Sequence, residues 1–350
     1  MKVIMKRSAF VFAILLLSVL TALAGNPNRI ASAGAAELLI PVGARGIALG
    51  SSALATITGA EAMYFNPAGM ARANSDVDVM FSTMNHIADI NVSYAAVAMK
   101  AGSLGSLGLS IKSLGFGDIP VTSELFPDGT GETYSPSFFN IGLTYSSLVS
   151  DRVSFGATAM LVNEKIMSTS ASGVAFTVGI QYDGLVVPGL SIGIAIKNVG
   201  TQMKYEGSNL TQQGTITGAS RNDNPNWYTV STSGFDLPTS MEIGLGYKQK
   251  FGEENALTLS GIFENNNFSN DEYKVGGEFA FQNMLFVRGG YSLSPQSGKD
   301  VAGQQSYIYG FTAGLGIAVD LGDVQARLDY AYRDVKYFGG NNVFTVSLGF

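Results

Sequence analysis

Short runs rich in Val, Ile, Phe and Tyr, alternating in polarity and parted by turns of Gly, Asn, Asp, Ser or Pro, recur from Asp76 to Phe350. Period-two alternation bounded by turn residues predicts β-strands. There are 14 such runs: Val77–Met84, Val92–Ala101, Gly105–Leu114, Phe138–Ser147, Val153–Val162, Ser172–Tyr182, Leu190–Val199, Pro238–Lys248, Ala256–Glu264, Glu272–Phe281, Leu285–Ser292, Tyr307–Asp320, Val324–Tyr332 and Asn342–Phe350. An even number of antiparallel strands returns the chain to the side on which it started.

Strand side chains point alternately to opposite faces. In the thirteenth run Val324, Ala326, Leu328, Tyr330 and Tyr332 share one face, and Gln325, Arg327, Asp329 and Arg333 share the other. In the tenth, Tyr273, Val275, Gly277, Phe279 and Phe281 oppose Glu272, Lys274, Gly276 and Glu278. In the seventh, Leu190, Ile192, Ile194 and Ile196 oppose Ser191, Gly193, Ala195 and Lys197. A soluble sandwich would bury the apolar rows inward, whereas a membrane barrel would turn them outward around a polar lumen. The alternation alone leaves both open.

Connection lengths separate the two. Odd connections include Gly115–Ser137, Gly200–Leu237, Leu293–Ser306 and Arg333–Asn341, while even ones include Gly102–Leu104, Leu148–Arg152, Gln282–Met284 and Gly322–Asp323. Long and short connections at opposite ends are the pattern of outer-membrane barrels, and Greek-key crossings give no reason for it. The expected fold is therefore all-β: a 14-stranded antiparallel transmembrane β-barrel over residues 76–350, its even connections and both chain ends on the periplasmic side.

Composition agrees. Only 14% of residues are charged, and beyond the first stretch no apolar run could cross a bilayer as a helix. Residues 1–24 carry Lys2, Lys6 and Arg7, an apolar stretch from Ala9 to Leu20, and Ala22-Leu23-Ala24 before Gly25. That is the layout of a cleaved secretory signal peptide and implies export to the bacterial outer membrane, with surrounding lipid as the first partner. The absence of Cys excludes a lipid-modified N-terminal cysteine and any disulfide. A net charge of −6 with scattered basic residues offers no nucleic-acid surface.

The final run places Phe344, Val346, Leu348 and Phe350 in one apolar row ending on an aromatic. It resembles the C-terminal signal by which the barrel-assembly machinery recognises its clients, with Leu348 and Phe350 as its residues.

Residues 25–75 differ in character, with dense Gly and Ala and little alternation, as in PVGARGIALGSSALATITGAEAMYFNPAGMARAN. This segment is expected to fold inside the barrel as a plug, because a barrel of this strand number has room for one. Pro67 between Asn66 and Gly69 sets an extended-then-turn geometry, and the Asn66 side chain can satisfy backbone groups that no sheet pairs.

Pro41-Val42-Gly43-Ala44-Arg45, Ala48-Leu49-Gly50 and Asn66-Pro67-Ala68-Gly69-Met70-Ala71 together resemble the opening of the PorV/PorQ family, itself similar to the fatty-acid transporter FadL. Asn66, Pro67 and Ala68 correspond to a triplet of the FadL hatch. Gly115-Phe116-Gly117-Asp118-Ile119-Pro120, Lys197-Asn198-Val199-Gly200 and Asp329-Tyr330-Ala331-Tyr332-Arg333-Asp334 resemble the same family. Where family members often carry paired glycines and an acidic pair, this chain has Gly50-Ser51-Ser52 and Gly59-Ala60-Glu61, so only Glu61 stands for the acidic contact. The resemblance implies a FadL-like barrel of 14 strands.

Catalytic chemistry has little to work with. One His and no Cys remove thiolate sites, His-pair metal sites and Cys nucleophiles. His86 lies between the first two strands with no G-x-S-x-G nearby, and is expected to be an exposed loop residue. No glycine-rich stretch continues as a phosphate-binding loop, and the acidic residues between Glu264 and Glu272 do not have calcium-loop spacing. The expectation is a non-enzyme with no cofactor and no metal.

Binding is then expected at the long loops. Phe116 and Phe126 stand in one, and Trp227, Tyr228 and Phe235 in the longest. Trp227 and Tyr228 would equally suit an aromatic belt at the membrane boundary. The PorV side of the resemblance implies a role in type IX protein secretion, with exported cargo and secretion components as partners at the outer loops. The FadL side implies passive uptake of a hydrophobic small molecule such as a long-chain fatty acid. The motifs place secretion first; a general porin is disfavoured by the plug.

Overall fold

The computed structural model describes residues 29–214, 226–299, 301, 303 and 305–350. The expected signal peptide, residues 1–24, lies outside the described residues. One closed sheet, to which the two-residue piece Glu206–Gly207 adds a short pairing, is built by fourteen long strands: β1 Val77–Asn85, β2 Asn91–Lys100, β3 Ser106–Gly115, β4 Ser137–Leu148, β5 Val153–Ile166, β6 Thr169–Asp183 and β7 Leu190–Gly200. They continue as β8 Ser240–Phe251, β9 Asn255–Asn266, β10 Glu272–Phe281, β11 Leu285–Leu293, β12 Tyr309–Asp320, β13 Gln325–Val335 and β14 Asn341–Gly349. Each strand pairs antiparallel with the next, and β1 pairs with β14, so the sheet closes on itself. Closure leaves no unpaired edge, which a hydrocarbon environment requires.

All 14 runs read from the sequence are strands in the same order. Their ends shift by a few residues where polarity stopped alternating before hydrogen bonding did. β5 runs on to Ile166 because Asn163, Glu164 and Lys165 still pair with β6. The eighth strand begins at Ser240 rather than Pro238, whose ring nitrogen has no hydrogen to donate to a ladder. The parity of the connections also has exceptions on the long-loop side: β5 and β6 are joined by Met167 and Ser168 alone, and the links 86–90 and 267–271, at five residues, are no longer than the short-side link 101–105.

The facing assignment holds along the wall. Leu328 and Leu143 are more than half exposed on the outside, whereas Asp329 and Thr144 are buried inside. Leu190 and Tyr273 point outward with the apolar rows yet are buried. Leu190 is covered by Leu185 and Val187 from its own turn, and Tyr273 by the ring of Phe263 across the strand pair.

From Ala35 to Arg72 the chain runs within the ring of strands. It forms two short helices, α1 Ala44–Ala48 and α2 Ala62–Phe65, and 3-10 turns at Ala36–Leu39 and Pro67–Arg72. Ala44, Ile47, Ala48, Leu54, Ile57 and Ala62 are completely buried. No helix among the described residues is long and apolar enough to cross a membrane.

Inward-facing glycines let this inner segment lie against the wall. A Cβ on Gly156 would stand 2.3 Å from the carbonyl carbon of Pro67, and one on Gly290 would stand 2.3 Å from the amide nitrogen of Gly50. Backbone thus packs directly on backbone, which any larger inward residue would prevent.

Candidate functional site

The inner segment is held by polar groups of the inner wall, which also satisfy backbone that no sheet pairs. The Ala44 N–H donates to Thr345 Oγ1 at 2.8 Å and the Ala60 N–H to Asp78 Oδ2 at 2.8 Å. Gln181 Nε2 donates to the carbonyls of Leu54 at 2.9 Å and Ile57 at 3.0 Å. Thr312 Oγ1 donates to Ala48 O at 2.9 Å, and Arg72 Nε to Ser154 Oγ at 2.8 Å.

Asn66, Pro67, Ala68 and Gly69 are all buried. Asn66 Nδ2 donates to Leu54 O at 3.2 Å and to Ile180 O on β6 at 3.1 Å, while its Oδ1 accepts from the Ala68 N–H. One side chain caps the following turn and ties the segment to the wall, with Pro67 occupying the first turn position. Gly69 has no room for a Cβ, which would lie 2.2 Å from Ile57 O.

Toward the short-turn end, the segment is fastened by an ionic cluster. Arg45 pairs with Glu278, and Glu278 also receives Arg288 Nε at 2.6 Å. Arg288 reaches Asp329 at 2.8 Å, and Arg327 joins Asp329 at 2.9 Å. The single acid retained from the expected acidic pair, Glu61, takes another role: its Oε1 accepts the Gly46 N–H at 2.9 Å across the first turn of α1. Burial raises the Glu61 carboxyl above the usual carboxylate range, opposed by Arg45.

Toward the long-loop end, a cavity of about 940 Å³ opens between the inner segment and the loops. Its floor includes Glu37, Ile40, Met63, Tyr64 and Phe65 from the inner segment. One part of the wall is apolar: Leu114 packs with Ile40, Ile90, Phe116 and Phe138, with the two Phe rings edge-on at 4.8 Å. Another part carries charge, paired with acids at Lys197 and Lys274 and held by uncharged groups at Lys112 and Arg333. Lys197 meets Glu242 at 2.8 Å, Lys274 pairs with both Glu264 and Glu272, and Lys112 donates to the carbonyls of Glu37, at 2.6 Å, and Ile40. Lys112 and Lys197 both approach the ring of Tyr64, each 5.0 Å from its centre.

The loop aromatics named from the sequence divide. Phe116 and Phe235 line the cavity, and Phe235 stacks at a tilt on Tyr205 at 5.7 Å. Phe126, Trp227 and Tyr228 do not line it: Trp227 is 70% exposed on a small two-stranded ribbon, Thr211–Gly214 with Asn226–Thr229, and Phe126 is also exposed. His86 departs from the exposed position expected of it. It lines the cavity half-buried, with Nδ1 3.5 Å from Arg333 Nη2, and burial followed by the Arg333 charge lowers its pKa to about 4.

The cavity groups that sequence reasoning missed are Glu37, Tyr64, Lys112 and Asn140. Lys112 and Asn140 sit on inward-facing positions and carried a readable signal, polar residues within apolar alternation. Glu37 and Tyr64 had none, since the inner segment has no period that fixes which side chains face the lumen.

Leu348 and Phe350 lie on the outer face at the short-turn end. The Asp76 N–H donates to Phe350 O at 2.7 Å and the Phe350 N–H to Val77 O at 2.8 Å, so Phe350 extends the β1–β14 seam by one pairing.

The fold defines a closed 14-strand barrel with a segment of chain inside its lumen, the fold of the FadL-like barrels. Among solved structures the chain is similar to the CymD monoaromatic hydrocarbon channel, at 11% identity over 89% of this chain and 97% of that one, TM-score 0.50. It is similar to a Pseudomonas aeruginosa FadL homologue, at 12% identity over 88% and 98%, TM-score 0.50. A deltaS2S3 mutant of the TodX monoaromatic hydrocarbon channel matches at 13% identity over 87% and 97%, TM-score 0.53. No protein-family model and no curated protein matches the chain. The likeness is one of fold: it supports the FadL-like barrel that the motif reading implied and gives no support specific to PorV/PorQ.

Proposed function

We propose that this chain is a passive outer-membrane channel for hydrophobic small molecules, with the inner segment acting as its plug. The order of the two sequence-based functions is thereby reversed, and secretion drops behind transport. The observation that carries the reading is the cavity of about 940 Å³, walled on one side by Ile40, Leu114, Phe116 and Phe138 and floored by the inner segment. Its volume is that of a binding chamber for a molecule of tens of atoms. An apolar patch that faces a lumen and not lipid needs an apolar occupant.

Supporting this, the outer wall presents a continuous set of exposed apolar side chains, as a barrel in lipid requires. The solved barrels of the same fold include two named as monoaromatic hydrocarbon channels. Movement would run down a concentration gradient, since the sequence contains no nucleotide-binding motif to drive it.

Deleting the gene in the source bacterium tests the reading. Uptake of labelled toluene or a long-chain fatty acid should fall, and display of exported proteins at the cell surface should be unchanged. Unchanged uptake with lost surface display would restore the secretion reading.

A further inference from the structure

We propose that Asn140 and Glu37 form a polar anchor in the cavity that holds one uncharged hydroxyl or amide group of an otherwise apolar ligand. The proposal rests on the reading of the cavity as a chamber for apolar molecules, and it specifies what kind of apolar molecule the chamber selects.

Asn140 projects inward from β4, opposite Lys112 on β3 and Val162 on β5, and it lines the cavity. The residue is 2% exposed, yet neither its amide nitrogen nor its amide oxygen has a hydrogen-bond partner among the described residues. Buried polar groups are almost always paired, because an unpaired one loses water and gains nothing in return. An amide left open on both its donor and its acceptor side, beside a chamber with room for a ligand, has the character of a reserved contact.

Glu37 repeats the pattern from the inner segment. It is also buried and lines the same cavity; neither carboxyl oxygen has a partner when ionised, and when protonated it can hydrogen-bond the Glu164 carboxyl. Lys112 links the two sites, being the cross-strand neighbour of Asn140 and donating its ammonium hydrogens to the Glu37 and Ile40 carbonyls. Those bonds occupy Lys112 with backbone. Burial and the nearby Glu164 carboxyl raise the Glu37 pKa to about 8, which favours its uncharged form at neutral pH. An amide and a neutral acid offer donors and acceptors without net charge. A hydroxyl or amide can use both kinds of group, whereas a carboxylate can only accept and would bring a second negative charge beside Glu164. Ile40 and Leu114 stand beside the anchor and would receive the apolar body of the ligand.

The test uses the full mature chain in lipid nanodiscs at pH 7, with binding followed by calorimetric titration in sealed cells. The probes are toluene, 4-methylphenol and 4-methylbenzoate, which share one ring and methyl group. The wild-type barrel should bind 4-methylphenol about tenfold more tightly than toluene, the gain of one net hydrogen bond, and 4-methylbenzoate more weakly than 4-methylphenol. Asn140→Leu, with folding verified by its heat-sensitive migration on gels, should bring 4-methylphenol to within about twofold of toluene in the same variant. Asn140→Ser should keep part of the preference. If toluene binds and 4-methylphenol binds no better, the anchor is overturned and Asn140 holds a buried water only. If 4-methylbenzoate binds most tightly, the uncharged character is overturned. If neither toluene nor 4-methylphenol binds, the chamber reading falls and the anchor with it.

Discussion

Arg45 of the inner segment grips Glu278 of β10 with two N–H···O bonds, Nε to Oε2 at 3.1 Å and Nη2 to Oε1 at 3.2 Å. The pair joins residues 233 positions apart and fixes the first helix of the segment to the barrel wall. It is not isolated, because Glu278 also takes Arg288 and lies near Arg327.

That shared partnership sets the sizes of two substitutions apart. Arg45→Leu leaves Glu278 with Arg288, so the loss should be that of charge-assisted hydrogen bonds, about 1.5–3 kcal/mol. Glu278→Leu leaves Arg45 and Arg288 facing each other without their shared acid and should cost more, about 3–5 kcal/mol. Urea unfolding of the bilayer-reconstituted barrel measures both. Equal losses would mean that the cluster does not act as one network.

The close approach at Gly156 gives a second expectation. Gly156→Ala puts a methyl group against the Pro67 backbone and should either destabilise the barrel by about 1–3 kcal/mol or push the inner segment aside, raising single-channel conductance in a planar bilayer. Gly115→Ala serves as the comparison, since a Cβ there meets nothing within 4 Å, and it should change neither quantity.

The wall itself can be tested at Leu328, which is 56% exposed on the outer face. Leu328→Arg should cost about 2–4 kcal/mol if the residue sits at mid-bilayer. Gly193→Arg should also fail, for a different reason: a Cβ there lies 2.7 Å from Leu54 O, so the lumenal position is closed by the inner segment and not by lipid. Removing residues 35–72 should therefore rescue Gly193→Arg and leave Leu328→Arg unrescued.

Glu37 predicts a pH dependence. Its carboxyl is raised from an ordinary 4.5 to about 8 in the folded protein by burial and by Glu164, while Lys112 pulls the other way. Between these values the folded state holds a proton that the unfolded chain releases. Stability contributed here is then present below about pH 4.5 and is lost as pH rises through 8. Urea midpoints measured across this window should fall for the wild type, and Glu37→Gln should flatten the fall. A midpoint that rises equally in both proteins would refute the assignment.

These cases show where the sequence was legible. Alternation at Leu328 and Asp329 told lipid from lumen because one wall side chain sees one environment. The strand count followed from the turns for the same local reason. Glycines 156, 193 and 290 could be seen to oppose apolar rows, but their purpose depended on which backbone passes behind them, a contact made by residues more than 85 positions away. Asn66 was readable as a local cap, and its second bond to Ile180 was not. Trp227 drew attention as the single Trp, yet the cavity is lined instead by Tyr64 and Asn140, whose neighbours are chosen by barrel closure. The motif match spoke for fold and plug position, and it could not rank secretion against transport, because both readings share the same barrel.

Uptake through the cavity tests the central claim most directly. Gly142 lines the chamber, and Gly142→Trp would fill it from the wall once Ser110 turns aside, since a Cβ there would stand 2.7 Å from Ser110 Oγ. Labelled toluene uptake should be compared in a bacterial host lacking its own hydrophobic-compound channels, expressing either no barrel, the wild type or Gly142→Trp, with folding of each verified by its heat-sensitive migration on gels. The account expects the wild type to speed uptake without an energy source and Gly142→Trp to return it to the rate of the empty host. Uptake no faster than in the empty host, or uptake undiminished by the filled cavity, would contradict it.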